Sequence, residues 1–371
     1  MKVPARLVAL CITVCLCLPA AAQQYIVTND NASGSTNSAT VLKVSNTGQV
    51  KVLQTYPTGG PAAGGAFFAL TGVATAHVGT NTCVFVSNGG NSTIAAFTLS
   101  TTTGVLTAVA GSPFSYGVTG AQTSGIGLAV AANKFLYAGN SISVSISAIR
   151  ISSACALKGL KTYTVAGPPD GLKVTPNGKY LIAAYLGQVD SFQINPTSGA
   201  LTETGPLAAQ GTSAGVEISC DSSTAYFGDA GTDIQIEAYS ISSSGQLALL
   251  NNFTDSHGVN SNGVQLSPDG STLYVSNTMS AQVTALTTSP GGGLSFANIV
   301  TVNGSPTFLL NLAFGRSGKN LFLSEVASEE EVGSFAASGA TLTEVTGSPF
   351  NVINNGADAG SFITIPGKVC Q

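Results

Sequence analysis

Seven short apolar strands recur along this chain, each carrying an aromatic residue and most ending at Asn, Asp or Glu. They read YIVTN from Tyr25, VFVSN from Val84, FLYAG from Phe135, YLIAA from Tyr180, AYFGD from Ala225, LYVSN from Leu273 and LFLSE from Leu321. Successive starts lie 59, 51, 45, 45, 48 and 48 residues apart. A period of that length holds one four-stranded unit, and such units in a ring make a propeller. The sequence therefore predicts an all-β, seven-bladed β-propeller of four-stranded antiparallel blades.

Each unit follows one grammar. An inner strand starts near Gly and ends in a turn, as in GLKVTPNG at 171–178, GVEISCDS at 215–222 and GVQLSPDG at 263–270. Pro presets φ and Gly tolerates positive φ, so PNG and PDG mark tight turns. The aromatic strand follows. A third strand alternates apolar and polar residues: TIAAFTLS at 93–100, QVDSFQIN at 188–195 and IQIEAYSI at 234–241. A Gly-containing hairpin then leads to the outer strand, as in TTTGVLTAV at 101–109 and PTSGALTET at 196–204. The tripeptide GSP recurs in linkers at 111–114, 304–307 and 347–350.

Counting strands predicts how the ring closes. The repeat begins directly at the second strand of a unit, and the chain ends with an extra apolar strand, SFITIP at 361–366. That last strand is expected to pair into the first blade as its missing inner strand, which removes free sheet edges.

The N-terminus bounds the compartment. Lys2 and Arg6 precede an apolar run from Leu7 to Leu18 and then PAAAQ. This is the order of a secretory leader: charged region, short apolar core, small-residue cleavage site. The apolar run is shorter than the roughly 20 residues of a membrane anchor. Residues 1–22 read as a signal peptide cleaved near Ala22, and 23–371 as one propeller domain, secreted or periplasmic. Without Lys2 and Arg6 the 13 Lys+Arg fall to 11 against 17 Asp+Glu, a net charge of −6. An acidic, charge-poor chain lacks the basic stripe that nucleic acid demands. No later stretch is long and apolar enough to span a membrane. A monomer without cofactor or metal is expected.

Four cysteines follow the leader: Cys83, Cys155, Cys220 and Cys370. An even count outside the cytoplasm points to disulfides, with three possible pairings. The strand register puts all four on one face of the disc. Cys83 and Cys370 fall on neighbouring blades, so that pair is favoured, as a staple of the ring closure.

The strand pattern LSPDGSTLYVSN at 266–277, VTPNGKYLIAA at 174–184, the Gly-x-Leu hairpins and the GSPF linkers resemble the lactonase-like seven-bladed propellers, the 6-phosphogluconolactonase-type and YVTN-repeat group. The resemblance covers nearly all of 24–366. The absence of Trp separates the chain from propellers that repeat a structural Trp. Lactonases of this group carry a PHAH-like stretch before a middle inner strand, where this chain has Gly167-Pro168-Pro169-Asp170. They carry G-P-R-H in the next blade, where this chain has Thr212-Ser213-Ala214-Gly215, and Asn-Glu after the second strand, where it has Asp229-Ala230. The His and Arg residues of the resemblance are therefore missing. Lactone hydrolysis needs a base or nucleophile and a donor for the developing oxyanion. A phosphorylated substrate would also need clustered cations.

Ligands of propellers usually sit in the axial funnel, between loops entering the inner strands and loops leaving the second strands. The entering loops offer Gln122, Asp170, His257, Asn260, Asn262, Asn311 and Asp358. The leaving loops offer Asn29, Asp30, Asn88, Asn140, Tyr185, Asp229, Asn277 and Glu325. His257, in DSHGVNSNG, is the best candidate base, with Asp170 or Asp255 as partner; a solvated loop His is the plainer alternative. Lys173, Glu217 and Gln265 share one inner-strand position in three successive blades, and Lys173 and Glu217 are expected to pair between them. Asp229 and Asp233 flank a Gly loop with too few carboxylates for calcium. Glu329, Glu330 and Glu331 read as a solvated loop before a strand. The sequence thus favours a catalytically degenerate binding or interaction protein of the envelope or extracellular space, holding a small molecule, saccharide or protein at the funnel. A divergent lactonase is the alternative.

Overall fold

The computed structural model describes residues 23–31, 36–63, 71–122, 126–205, 207–229, 234–255, 260–326, 330–353 and 361–367. The leader, Cys370, His257 and Asp358 lie outside the described residues. The rest forms the predicted ring of seven antiparallel blades. Blade 1 combines Ser361–Ile365 with Gln24–Asn29, Thr36–Val44 and Val50–Pro61. The closing register runs from Tyr25↔Ile365 to Asn29↔Ser361, so the last strand is the innermost strand of the first blade.

The aromatic strands and the Gly hairpins explain each other. Tyr25 of blade 1 packs on Gly104 of blade 2, Phe135 of blade 3 on Gly199 of blade 4, and Tyr180 of blade 4 on Gly245 of blade 5. All three glycines have positive φ and lie so close to the ring that a Cβ would collide with it. The hydroxyls of Tyr137, Tyr180 and Tyr274 donate to the carbonyls of Gly199, Ser243 and Gly339 in the hairpin of the next blade. One strand thereby docks blades 1, 3, 4 and 6 each on its neighbour. Apolar clusters fill the spaces between blades: Val27, Val84, Val86 and Phe97 between blades 1 and 2, and Ile26, Leu42, Phe322 and Phe362 between blades 7 and 1.

Two GSPF segments are kinks inside outer strands rather than linkers between blades. Leu106–Ala108 and Phe114–Ser115 both pair with the third strand of blade 2, and Thr341–Glu344 and Phe350–Ile353 with that of blade 7. Proline has no N–H for the ladder and interrupts it. The preceding serine supplies the missing acceptor: Ser112 Oγ takes the Ala96 N–H and Ser348 Oγ the Ser334 N–H, each at 2.9 Å. Both Ser-Pro bonds are cis. Blades 4 and 5 merge into one seven-stranded sheet, because Tyr180–Ile194 also pairs with Leu207–Ile218.

The expected Cys83–Cys370 bond is replaced. Cys83 is joined to Cys155, 72 residues along the chain, with Cα atoms 5.5 Å apart. The third-to-fourth hairpin of blade 3 lies beside the first-to-second turn of blade 2, where Asn81 Nδ2 donates to Ser153 O at 3.0 Å. Register alone had not shown that these two kinds of hairpin meet. Cys220 is also disulfide-bonded. The acidic run is corrected as well: Glu330 and Glu331 open the strand Glu330–Ser338, and Glu330 is buried by pairing with Val326 on one side and Ile353 on the other. Glu329 and Asp233 lie outside the described residues. Among the described residues no helix is long and apolar enough to cross a membrane.

Candidate functional site

The residues ending the second strands hold the upper face together. Asn29 Nδ2 reaches blade 2, donating to Ser87 O and Oγ at 3.1 Å. Asn37 Nδ2 donates to Asn29 Oδ1 at 2.8 Å and to Asn88 Oδ1 at 3.0 Å, and Thr58 Oγ1 donates to Asn88 Oδ1 at 2.6 Å. Asn140 Oδ1 accepts from the Tyr116 hydroxyl at 2.8 Å. The amides of Asn88, Asn140 and Asn277 turn back to hydroxyls of their own third strands, at Thr93, Ser147 and Thr284. All these asparagines are buried. Asp30 is buried too, accepting from Thr28, Ser38 and Thr40; burial raises its pKa despite those bonds.

Gln122 is a latch. Its Nε2 donates to Ser92 Oγ and its Oε1 accepts the Ile142 N–H, both at 2.9 Å, tying blade 2 to the hairpin of blade 3. The backbone carbonyl of Asn262 lies against Gly228, where a Cβ would sit 2.7 Å away, which keeps blades 5 and 6 in close approach. Asn260, half-buried at φ 64°, accepts the Thr278 N–H through its carbonyl at 2.8 Å. The Asp255 side chain lies outside the described residues.

Where the asparagine pattern changes, carboxyls go into the interior. Blade 4 has Tyr185, whose hydroxyl donates to Asp190 Oδ2 at 3.4 Å. Burial pushes the Asp190 carboxyl up to about 7 and holds the Tyr185 phenol above its usual range. Asp229 of blade 5 is buried over Gly211, where a Cβ would collide with its carboxylate. Glu325 of blade 7 is fully buried over Gly333, and neither carboxyl oxygen has a hydrogen-bond partner. Burial first, then Glu344 and Glu331, pushes its pKa up to about 9. Asp170, on the entering strand of blade 4, is 4% exposed; its Oδ2 lacks a partner and burial lifts its pKa to about 7. Asp190 carries no signal in QVDSFQIN, where alternation alone does not say that a polar residue is buried.

The axis holds a channel with mostly apolar walls. Its middle is a cavity of about 300 Å³, with Val73, Leu128, Leu172, Leu312, Phe362 and Ile363 in its lining. Asn311 lines it and donates to Phe362 O at 2.8 Å, fastening blade 7 to the closing strand. A second compartment of about 380 Å³ continues to the lower mouth, beside Pro176 and Gly367. Both compartments share Lys173 and Gln265. Lys173 Nζ meets Glu217 Oε2 at 2.6 Å, and Gln265 Nε2 donates to the same oxygen at 3.2 Å, as the shared inner-strand position led one to expect. Asp170 and Glu325 are absent from the lining of both compartments. Among the described residues no three His, Cys, Asp or Glu side chains converge as metal ligands would.

Comparison with known proteins agrees with this geometry. A family described as lactonase, 7-bladed beta-propeller, matches residues 112–212 and 186–307, together more than half of the chain. The crystal structure of a candidate 6-phosphogluconolactonase from Bacteroides fragilis is similar with a TM-score of 0.73 at 18% identity, covering 92% of this chain and 98% of its own. The periplasmic gluconolactonase of Pseudomonas aeruginosa is similar with a TM-score of 0.64 at 19% identity, covering 89% of this chain and 97% of its own. At these identities the likeness is one of fold. No curated protein matches the sequence.

Proposed function

The chain belongs to the seven-bladed lactonase β-propeller family, and from that premise we propose that it is a catalytically degenerate member that binds rather than hydrolyses. One observation carries this reading: the side-chain amide donors of the asparagines that end the second strands are consumed in bonds between and within blades. Asn29, Asn88, Asn140 and Asn277 are all buried there, and Gln122 is locked in the same way. Groups so occupied cannot stabilise an oxyanion at the funnel. The leader at 1–22 supports export, with cleavage near Ala22 and action as a monomer in the periplasm or outside the cell. The occupant of the axial funnel would be a small molecule, a saccharide or a protein segment.

A divergent lactonase is the second reading, and Asp170 is the observation that favours it. A buried carboxyl poised near neutrality with an unpartnered oxygen has the properties of a general base. A hydrolysis screen of the purified protein against neutral and phosphorylated lactones separates the two. Folded protein without turnover supports the binding reading. Turnover that disappears in Asp170→Asn or His257→Ala overturns it.

A further inference from the structure

We propose that Cys370 is bonded to Cys220 and that the last residues of the chain, 368–371, thereby form a strap across the lower mouth of the axial channel. This goes beyond the reading above and is independent of whether the upper face turns over a lactone.

The pairing follows by elimination. Cys220 is disulfide-bonded, and Cys83 and Cys155 hold each other. The cysteines left are Cys370 and the leader residues Cys11, Cys15 and Cys17. The leader departs on export in the reading of residues 1–22 as a signal peptide, which leaves Cys370 as the partner. The bond forms from two thiols, which give up two protons and two electrons. A disulfide-bearing oxidant of the export compartment takes them up and becomes a dithiol.

The two anchors decide where the tether runs. Cys220 stands in the lower turn of blade 5, just after Ile218, which lines the lower compartment. Its Sγ lies 3.9 Å from the carbonyl oxygen of Pro268, in the lower turn of blade 6. The sulfur is thus on the side of blade 5 that looks toward blades 6, 7 and 1. At the other end, Gly367 lines the same compartment and bridges to Gly315 of blade 7. Thr364 Oγ1 donates to Phe314 O at 2.7 Å, so the closing strand is fastened close to the rim of the mouth.

Cys370 follows three positions after Gly367. Three extended residues reach about 10 Å, and a disulfide adds a Cα separation of about 5.5 Å. Blades 1 and 5 stand three places apart in the ring of seven, the widest separation such a ring has. A tether this short takes a direct line between them, and that line passes over the mouth. A detour between the turns of blades 6 and 7 is closed, because Pro268 lies so near Gly318 that a Cβ there would collide with it. With the strap in place the channel is blind, and a ligand reaches the cavity of about 300 Å³ from the upper face alone.

Peptide mapping of the mature protein, digested at acidic pH without reductant, tests the bond. Cys220 and Cys370 are expected in one linked species that separates on reduction. Cys220 linked to a leader cysteine, a free thiol at either position, or Cys370 joined to a second copy of the chain would each overturn the proposal. The strap itself is tested by acetylation of Lys173, which lines the lower compartment. Lys161, exposed on the outer strand of blade 3, serves as the internal reference. In Cys220→Ser/Cys370→Ser, acetylation of Lys173 should speed up several-fold relative to Lys161. If that variant fails to fold, ending the chain after Gly367 in Cys220→Ser keeps the closing strand and should give the same increase. Equal rates in the parent and the folded variant would refute the strap.

Discussion

Tyr25 and Ile365 lie side by side as partners in one ladder, so the first and last described strands of the chain share a blade. Both are almost fully buried, at 1% and 2% exposure. A ring joined in this way depends on the final strand as much as on any internal one.

Ending the chain after Gly360 is expected to destabilise the whole molecule. It removes Phe362 and Ile365 from the interior and exposes the edge at Gln24–Asn29. Burial of the two side chains alone contributes about 4 kcal/mol, a large share of the stability of a domain. Thermal unfolding followed by circular dichroism should show a markedly lower midpoint. An unchanged midpoint would mean that the strand is dispensable.

The Cys83–Cys155 bond closes a loop of 72 residues between blades 2 and 3. Replacing both cysteines by serine should lower the free energy of unfolding by roughly 2–5 kcal/mol. Urea titration of the double variant checks this. Peptide mapping of the native protein under non-reducing conditions checks the pairing itself, and recovery of a Cys83–Cys370 peptide would contradict the structure.

Glu325, Asp170 and Asp190 give the protein a pH dependence of definite sign. Each folded pKa is raised, to about 9 for Glu325 and about 7 for the two aspartates. The folded state then holds more protons than the unfolded state, so stability falls as pH rises. These contributions are complete below the unfolded carboxyl range near pH 4 and are lost as pH rises through 7 and on towards 9. Unfolding free energy should be higher at pH 5.5 than at pH 8.5 by about 1 kcal/mol or more. Glu325→Gln should flatten the upper part of that slope. An equally steep slope in the variant would assign it to other groups.

Gln122→Ala should cost about 1 kcal/mol, because it removes the bonds to Ser92 Oγ and to the Ile142 N–H. Hydrogen exchange of the Ile142 amide gives a local readout: faster exchange confirms the latch, and unchanged protection refutes it.

The fold was legible because its signals are local and repeated. The aromatic strand, the PNG and PDG turns and the Gly hairpins each specify a piece of backbone by sterics and alternation. Seven copies leave little freedom in how the pieces stack. The final strand could be assigned by counting, and the Lys173–Glu217 pair by its shared position. The candidate site was less legible. Asn88, Asn140 and Asn277 stand at the positions expected to border the funnel, yet their amides turn to hydroxyls of the third strand.

The blade, the number of blades and the closure follow from periodicity and turn chemistry within about fifty residues of chain. Which polar groups are covered and which face the axis depends on how the blades pack in the ring. Cys83 and Cys155 belong to different kinds of hairpin, and the alternation of their strands does not mark Asp190 and Glu325 as buried. Such contacts depend on the angle and distance between blades, which no local pattern encodes. The exposed ammonium of Lys173 above a covered Glu217 has the same origin: one sequence position, repeated on adjacent blades, is given two environments by the way the ring packs.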